Sequence, residues 1–187
     1  MKSLALILLL AGSVLIGYFY VTYQNSTAGV MAISEERDDL PRQIDWSAID
    51  KGDEIATLKI PRLDKQYVTY WGTDDDTLNR GVGMHESPYT TTPDEGGHTL
   101  LSGHRDTVFR ELGSLEAGDD MIVEFDGKAY TYTITDVWIT DAEDRSVIVE
   151  KEEATLTLST CYPFYLLGAA PDRYIIQSEL TGITSLD

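Results

Sequence analysis

Residues Leu4 to Tyr23 contain no charged side chain, and no other feature limits the possible folds of this chain as much. The run is rich in Leu and Ile and ends in Tyr18, Phe19, Tyr20 and Tyr23. As a helix, about twenty residues at ~1.5 Å rise reach roughly 30 Å, the thickness of a bilayer's hydrocarbon core. Tyr at the far end suits the membrane–water interface. Lys2 precedes the run, and Glu35, Glu36, Asp38 and Asp39 follow it, so the charge bias predicts the N-terminus inside and the bulk of the chain outside. No polar stripe interrupts it, which argues against a buried core helix. The competing reading is a cleaved signal peptide, but the run is long for an h-region and no clear A-x-A site follows. The expected organisation is a single-pass cell-membrane anchor at 1–23, an extracellular stalk over 24–52, and one folded domain over 53–187. Pro41 and Gly52 punctuate the stalk, and Ile44, Trp46 and Ile49 are expected to dock a short helix on the domain.

The domain is expected to be mostly β. Ile55–Ile60 alternates apolar and polar residues and stops at Pro61; Gln66–Trp71 is a second strand. Asp74, Asp75 and Asp76 supply capping side chains for a helical turn at Thr77–Asn79. Thr99–Ser102 is a buried strand ending at Gly103, and Thr107–Leu112 is a helical turn. Met121–Phe125, the pair Asp126-Gly127, and Ala129–Ile139 form a hairpin, because Asp-Gly between alternating runs favours a tight turn. Val147–Val149, Ala154–Thr160 and Tyr174–Leu180 complete the strands. Seven or eight short strands with little helix predict a closed barrel or a sandwich.

Composition removes several function classes. There are 32 acidic and 14 basic residues, for a net charge of −18, and such a surface repels nucleic-acid phosphates. One cysteine, Cys161, excludes an internal disulfide, a Cys-rich zinc site and an Fe–S cluster. Three adjacent carboxylates before a helical turn are read as its cap, so no metal and no cofactor is assigned.

Three residues carry the candidate chemistry. Cys161 ends a strand where Pro163 breaks the ladder, which makes it either an inert thiol or a nucleophile on a rigid platform. An unassisted thiol is only about 3% ionised at pH 7, so a nucleophilic role calls for a histidine and a positive charge beside it. Of His85, His98 and His104, the last sits in Ser102-Gly103-His104-Arg105-Asp106 at the mouth of a buried strand. A regular strand puts His98 about 20 Å from it, and His85 is read as a solvated turn residue. Arg173 opens the last strand, and a hairpin between its strand and that of Cys161 brings the two side by side, where a guanidinium can serve an oxyanion. Asp106 is the expected partner of Arg105.

Thr157-Leu158-Ser159-Thr160-Cys161 resembles the T-L-x-T-C signature of sortases, the cysteine transpeptidases of bacterial cell surfaces. The segment around His104 resembles the family's histidine motif, and Arg173 falls where its arginine is expected. Cys161-Tyr162-Pro163-Phe164 and Ala170-Pro171-Asp172-Arg173-Tyr174 look most like class D, and no Asp-Pro-aromatic lid motif of class C lies in 24–52. The resemblance covers about residues 53 to 182. It implies an eight-stranded barrel and transfer of an LPxTG-like sorting signal through a Cys161 thioester to an amine of a lipid-linked peptidoglycan precursor. It makes His104 the acid and base, and Arg173 the oxyanion or signal-positioning group. It makes Thr160 a contact of the bound signal and places Ser102 in the cleft near His104. The apolar segment Tyr162, Pro163, Phe164, with Leu166 and Leu167 packed on the barrel, is expected to wall the groove, and the loop Pro88–Gly97 to border it. No Asp or Asn can be assigned to orient His104. The alternatives are a cysteine peptidase that releases its acyl-enzyme to water and a non-catalytic tethered β-domain. An anionic precursor meeting a charge of −18 calls for a neutral or basic approach beside Arg173 and Arg105.

Overall fold

A computed structural model describes residues 2–27, 29–35, 44–165 and 168–186. Glu36, Asp38, Asp39, Pro41, Leu166 and Leu167, which entered the expectations above, lie outside the described residues.

The uncharged run forms helix α1 (Lys2–Thr27), and its stretch Ile7–Gln24 is long and apolar enough to cross a membrane, with none of it buried against the protein. Strand β1 (Val30–Ala32) follows at once and pairs antiparallel with β3 (Lys65–Trp71). Part of the segment expected to be a stalk is therefore built onto the domain. Ile44 and Ile49 pack on the core, the Ile44 amide donates to Asp126, and the Trp46 ring meets Trp71 and Phe125.

The remaining strands are β2 (Glu54–Ile60), β4 (Val82–Met84), β5 (His98–Ser102), β6 (Asp120–Phe125), β7 (Lys128–Asp141), β8 (Thr155–Tyr162) and β9 (Asp172–Ser185). Their order is β3-β2-β6-β7-β9-β8-β5-β4, and β4 returns to β3, so eight strands close a barrel. β3 shares one edge between two partners, β1 along Lys65–Tyr67 and β4 along Thr69–Trp71. Closure removes free ladder groups that would otherwise template aggregation.

Local chemistry explains the elements. Asp126 and Gly127 both adopt positive φ, as the tight β6–β7 turn requires. Asp74 caps the short helix α2 (Asp75–Leu78), its carboxylate accepting from the Thr77 amide and hydroxyl at 3.0 and 2.8 Å. Inside the barrel, Leu58, Leu101, Phe109, Val123, Tyr132, Leu158 and Ile176 pack as one core. One expectation is corrected: Val147–Val149 is not a strand. Arg145–Val147 is a turn of 3-10 helix capped by Asp144, within the loop that joins β7 to β8.

Candidate active site

The site is built by strand register. β8 and β9 run antiparallel with Cys161 directly opposite Arg173. β5 runs parallel to β8 with Ser102 beside Ser159, so the chain leaving β5 carries His104 up to the level of Cys161. The Gly103 amide donates to the Ser159 carbonyl at 3.3 Å, and the Thr160 hydroxyl donates to the Gly103 carbonyl at 2.7 Å. Gly103 is required by close approach, because a Cβ there would lie 2.6 Å from Val108 and 2.9 Å from the Phe109 ring.

Cys161, His104 and Arg173 line one cavity of about 390 Å³, with Ser102, Ser159 and Ile175 in the row below them. Period-two alternation accounts for this arrangement: Ser159 and Cys161, Arg173 and Ile175 face the cavity, whereas Leu158 and Ile176 face the core. Cys161 is a half-buried free thiol. Arg173 is half-buried and gives an Nη1 hydrogen to the backbone carbonyl of Asp172 at 3.1 Å, with no carboxylate in ion-pair range among the described residues.

Thr160 and Ser102 are cavity residues, although the Thr160 hydroxyl is spent on Gly103. Tyr162, Pro163 and Phe164 lie outside the lining. Tyr162 is one residue past Cys161 and points to the other side of the sheet, where its ring stacks with Tyr174 and meets Phe164 edge-on. The loop Pro88–Gly97 is also outside the lining. The wall comes instead from Ala142, Asp144, Val147 and Ile148 of the β7–β8 loop, and from Thr73, Leu78 and His85. Ser159 was missed although it stands two positions before Cys161 on the same face, which alternation alone would have shown.

His85 is not a solvated turn residue. It is half-buried in the cavity wall, its Nδ1 lies 3.3 Å from the Thr73 hydroxyl, and burial holds its pKa below the ordinary value. His98 is buried, with Nδ1 2.7 Å from the Val149 carbonyl and Nε2 2.8 Å from the Thr157 hydroxyl, as a structural side chain should be. Arg105 is buried and donates to the Gly168 carbonyl at 2.6 Å, so it does not offer a surface charge at the cavity's mouth. Hydrogen bonds from the Ser146 hydroxyl, the Thr140 hydroxyl and the Ser146 amide hold the Asp144 carboxyl below its ordinary pKa, which keeps one fixed negative charge in the wall.

The sortase domain family matches residues 58–181. The chain is 43% identical over 129 residues to Sortase D of Bacillus subtilis (strain 168), an alignment that takes in 68% of this chain and 64% of the length of that protein. Among solved structures, the catalytic domain of B. anthracis SrtD is 53% identical, with a TM-score of 0.66 over 80% of this chain and 99% of that one. A Clostridium perfringens Sortase D5 transpeptidase is 29% identical, with a TM-score of 0.64 over 73% of this chain and 84% of that one.

Proposed function

Because the chain belongs to the sortase family and is most like its class D members, we propose that it is a cell-surface cysteine transpeptidase that joins LPxTG-like sorting signals to an amine of a lipid-linked peptidoglycan precursor. The observation that carries this reading is the single row of His104, Cys161 and Arg173 around one cavity. The Cys161 sulfur attacks the carbonyl carbon of the signal's Thr. The carbon–nitrogen bond then breaks, and the leaving amine takes a proton from His104, which leaves a thioester. The incoming amine gives a proton to His104 and attacks the thioester carbon; the carbon–sulfur bond breaks and the thiolate returns. Arg173 stabilises the negative oxygen that develops in both steps or holds the signal in register.

Ser102 and Thr160 flank the acyl-transfer row. Tyr162, Pro163 and Phe164 brace the rim behind it rather than the lining. Helix α1 anchors the chain, with the barrel on the outer side. The test is mass spectrometry of the full chain in detergent micelles, incubated with LPxTx peptides and candidate amines. A Cys161-linked acyl intermediate and an amine-ligated product are expected. Hydrolysis that is indifferent to added amine would favour a peptidase instead.

A further inference from the structure

We propose that Thr160 is a positioning residue, whose hydroxyl fixes the His104 backbone to the strand that carries Cys161. Among the described residues, no carboxylate or amide side chain bonds the His104 ring, so its orientation must come from elsewhere. The main chain on both sides of His104 is held. Before it, the Gly103 carbonyl accepts the Thr160 hydroxyl at 2.7 Å and the Gly103 amide reaches the Ser159 carbonyl at 3.3 Å. After it, the His104 carbonyl accepts the Phe109 amide at 3.0 Å. The first bond is buried, with Thr160 only 3% exposed, so water does not compete for it.

The bond also has a directional consequence. The β5–β8 ladder stops at Ser102 and Ser159. The Thr160 side chain extends the association one residue further, to the peptide unit that launches His104. Thr160 is at the same time the residue before Cys161, so sulfur and imidazole are spaced by one short rigid path instead of by a loop. Val108 and Phe109 close the opposite side of Gly103, which leaves the segment no room to swing inward. A hydroxyl whose one proton is committed to Gly103 cannot also donate to a bound signal.

The inference rests on the acyl-transfer reading, and its test separates the two. The full chain in micelles is compared with Thr160→Val, which keeps the shape and loses the donor, and Thr160→Ser, which keeps the donor. Steady-state ligation is measured with an LPxTG-type peptide and an amine, together with the NMR titration of the His104 ring without substrate. The expected result is a kcat lowered at least about tenfold in Thr160→Val with KM within about twofold, a shifted His104 titration midpoint, and recovery of both in Thr160→Ser. A loss carried wholly by KM, or one His104 midpoint shared by all three proteins, overturns the proposal. If the parent ligates no peptide, the acyl-transfer reading fails while the midpoints still decide the clamp. If Thr160→Val does not fold, Thr160→Ala takes its place, and identical behaviour of the Ser and Ala variants overturns the proposal.

Discussion

Arg173 faces Cys161 across an antiparallel pair and is tied to its own strand through the Asp172 carbonyl. Under the proposed mechanism, a guanidinium held in this way is preorganised for the negative charge that develops on the acyl oxygen. Replacing Arg173 by Ala should lower kcat/KM by about 10²–10³-fold, on the scale of a lost oxyanion donor. Lys should restore only part of that, because a point charge lacks the planar fork. Cys161→Ala should abolish ligation outright, and the parent's rate should follow a bell-shaped pH profile; a flat profile from about pH 5 to 9 would contradict thiol–imidazole chemistry. A separate prediction concerns His98. The Val149 carbonyl can only accept, so Nδ1 carries the proton and Nε2 accepts from Thr157. Both nitrogens are satisfied only in the neutral ring, and burial holds the pKa down. The unfolded chain therefore binds the proton more readily, and stability present above about pH 6.5 is lost as the pH falls below it, by at most about 1.4 kcal/mol per unit. His85, depressed in the same direction, adds to the slope. Urea midpoints between pH 5 and 7.5 should show this fall, and His98→Gln should flatten it in part.

At the scale of elements, the turn after β5 tolerates no side chain at Gly103. Gly103→Ala forces a methyl into Val108 and Phe109 and should cost about 1–3 kcal/mol, read as a lower urea midpoint, with reduced ligation because His104 moves too. The longer strands were legible from alternation and from the Asp126-Gly127 turn, and the candidate triad from three spaced motifs. β4 was not, because it has only three residues with a glycine in the middle. Gly83 is there since a Cβ would lie 2.3 Å from the Gly72 carbonyl, a tertiary constraint invisible in local pattern. β1 was hidden likewise, as three residues close behind the apolar helix whose stability comes from the β3 edge. Val147–Val149 misled in the opposite direction: β-branched residues suggested a strand, but Asp144 capping and a place in the cavity wall make it a loop. Tyr162 was expected to wall the groove because it follows the cysteine; adjacent residues of a strand face opposite sides, and its ring lies with those of Tyr174 and Phe164 rather than in the cavity lining.

For the whole molecule, the helix-to-barrel distance and the net charge act together on the acceptor. Helix α1 ends at Thr27 and β1 begins at Val30, so the barrel is joined to this apolar helix by very little chain. Under the proposed function, a domain with a net charge of −18 is held close to a lipid surface and meets an anionic precursor there. Like charges slow the encounter, and the slowing depends on the Debye length, which shrinks from about 30 Å at 0.01 M salt to about 8 Å at 0.15 M. With Arg105 buried against Gly168, the positive charge in the cavity lining comes from Arg173 and, when protonated, from its histidines. Ligation to an anionic lipid-linked acceptor should therefore speed up as salt rises over this range, while ligation to a small neutral amide-capped amine at the same peptide concentration should change little. The comparison isolates long-range repulsion, since both reactions share the thioester. Equal salt responses for the two acceptors would show that the acidic surface lies away from the path of approach.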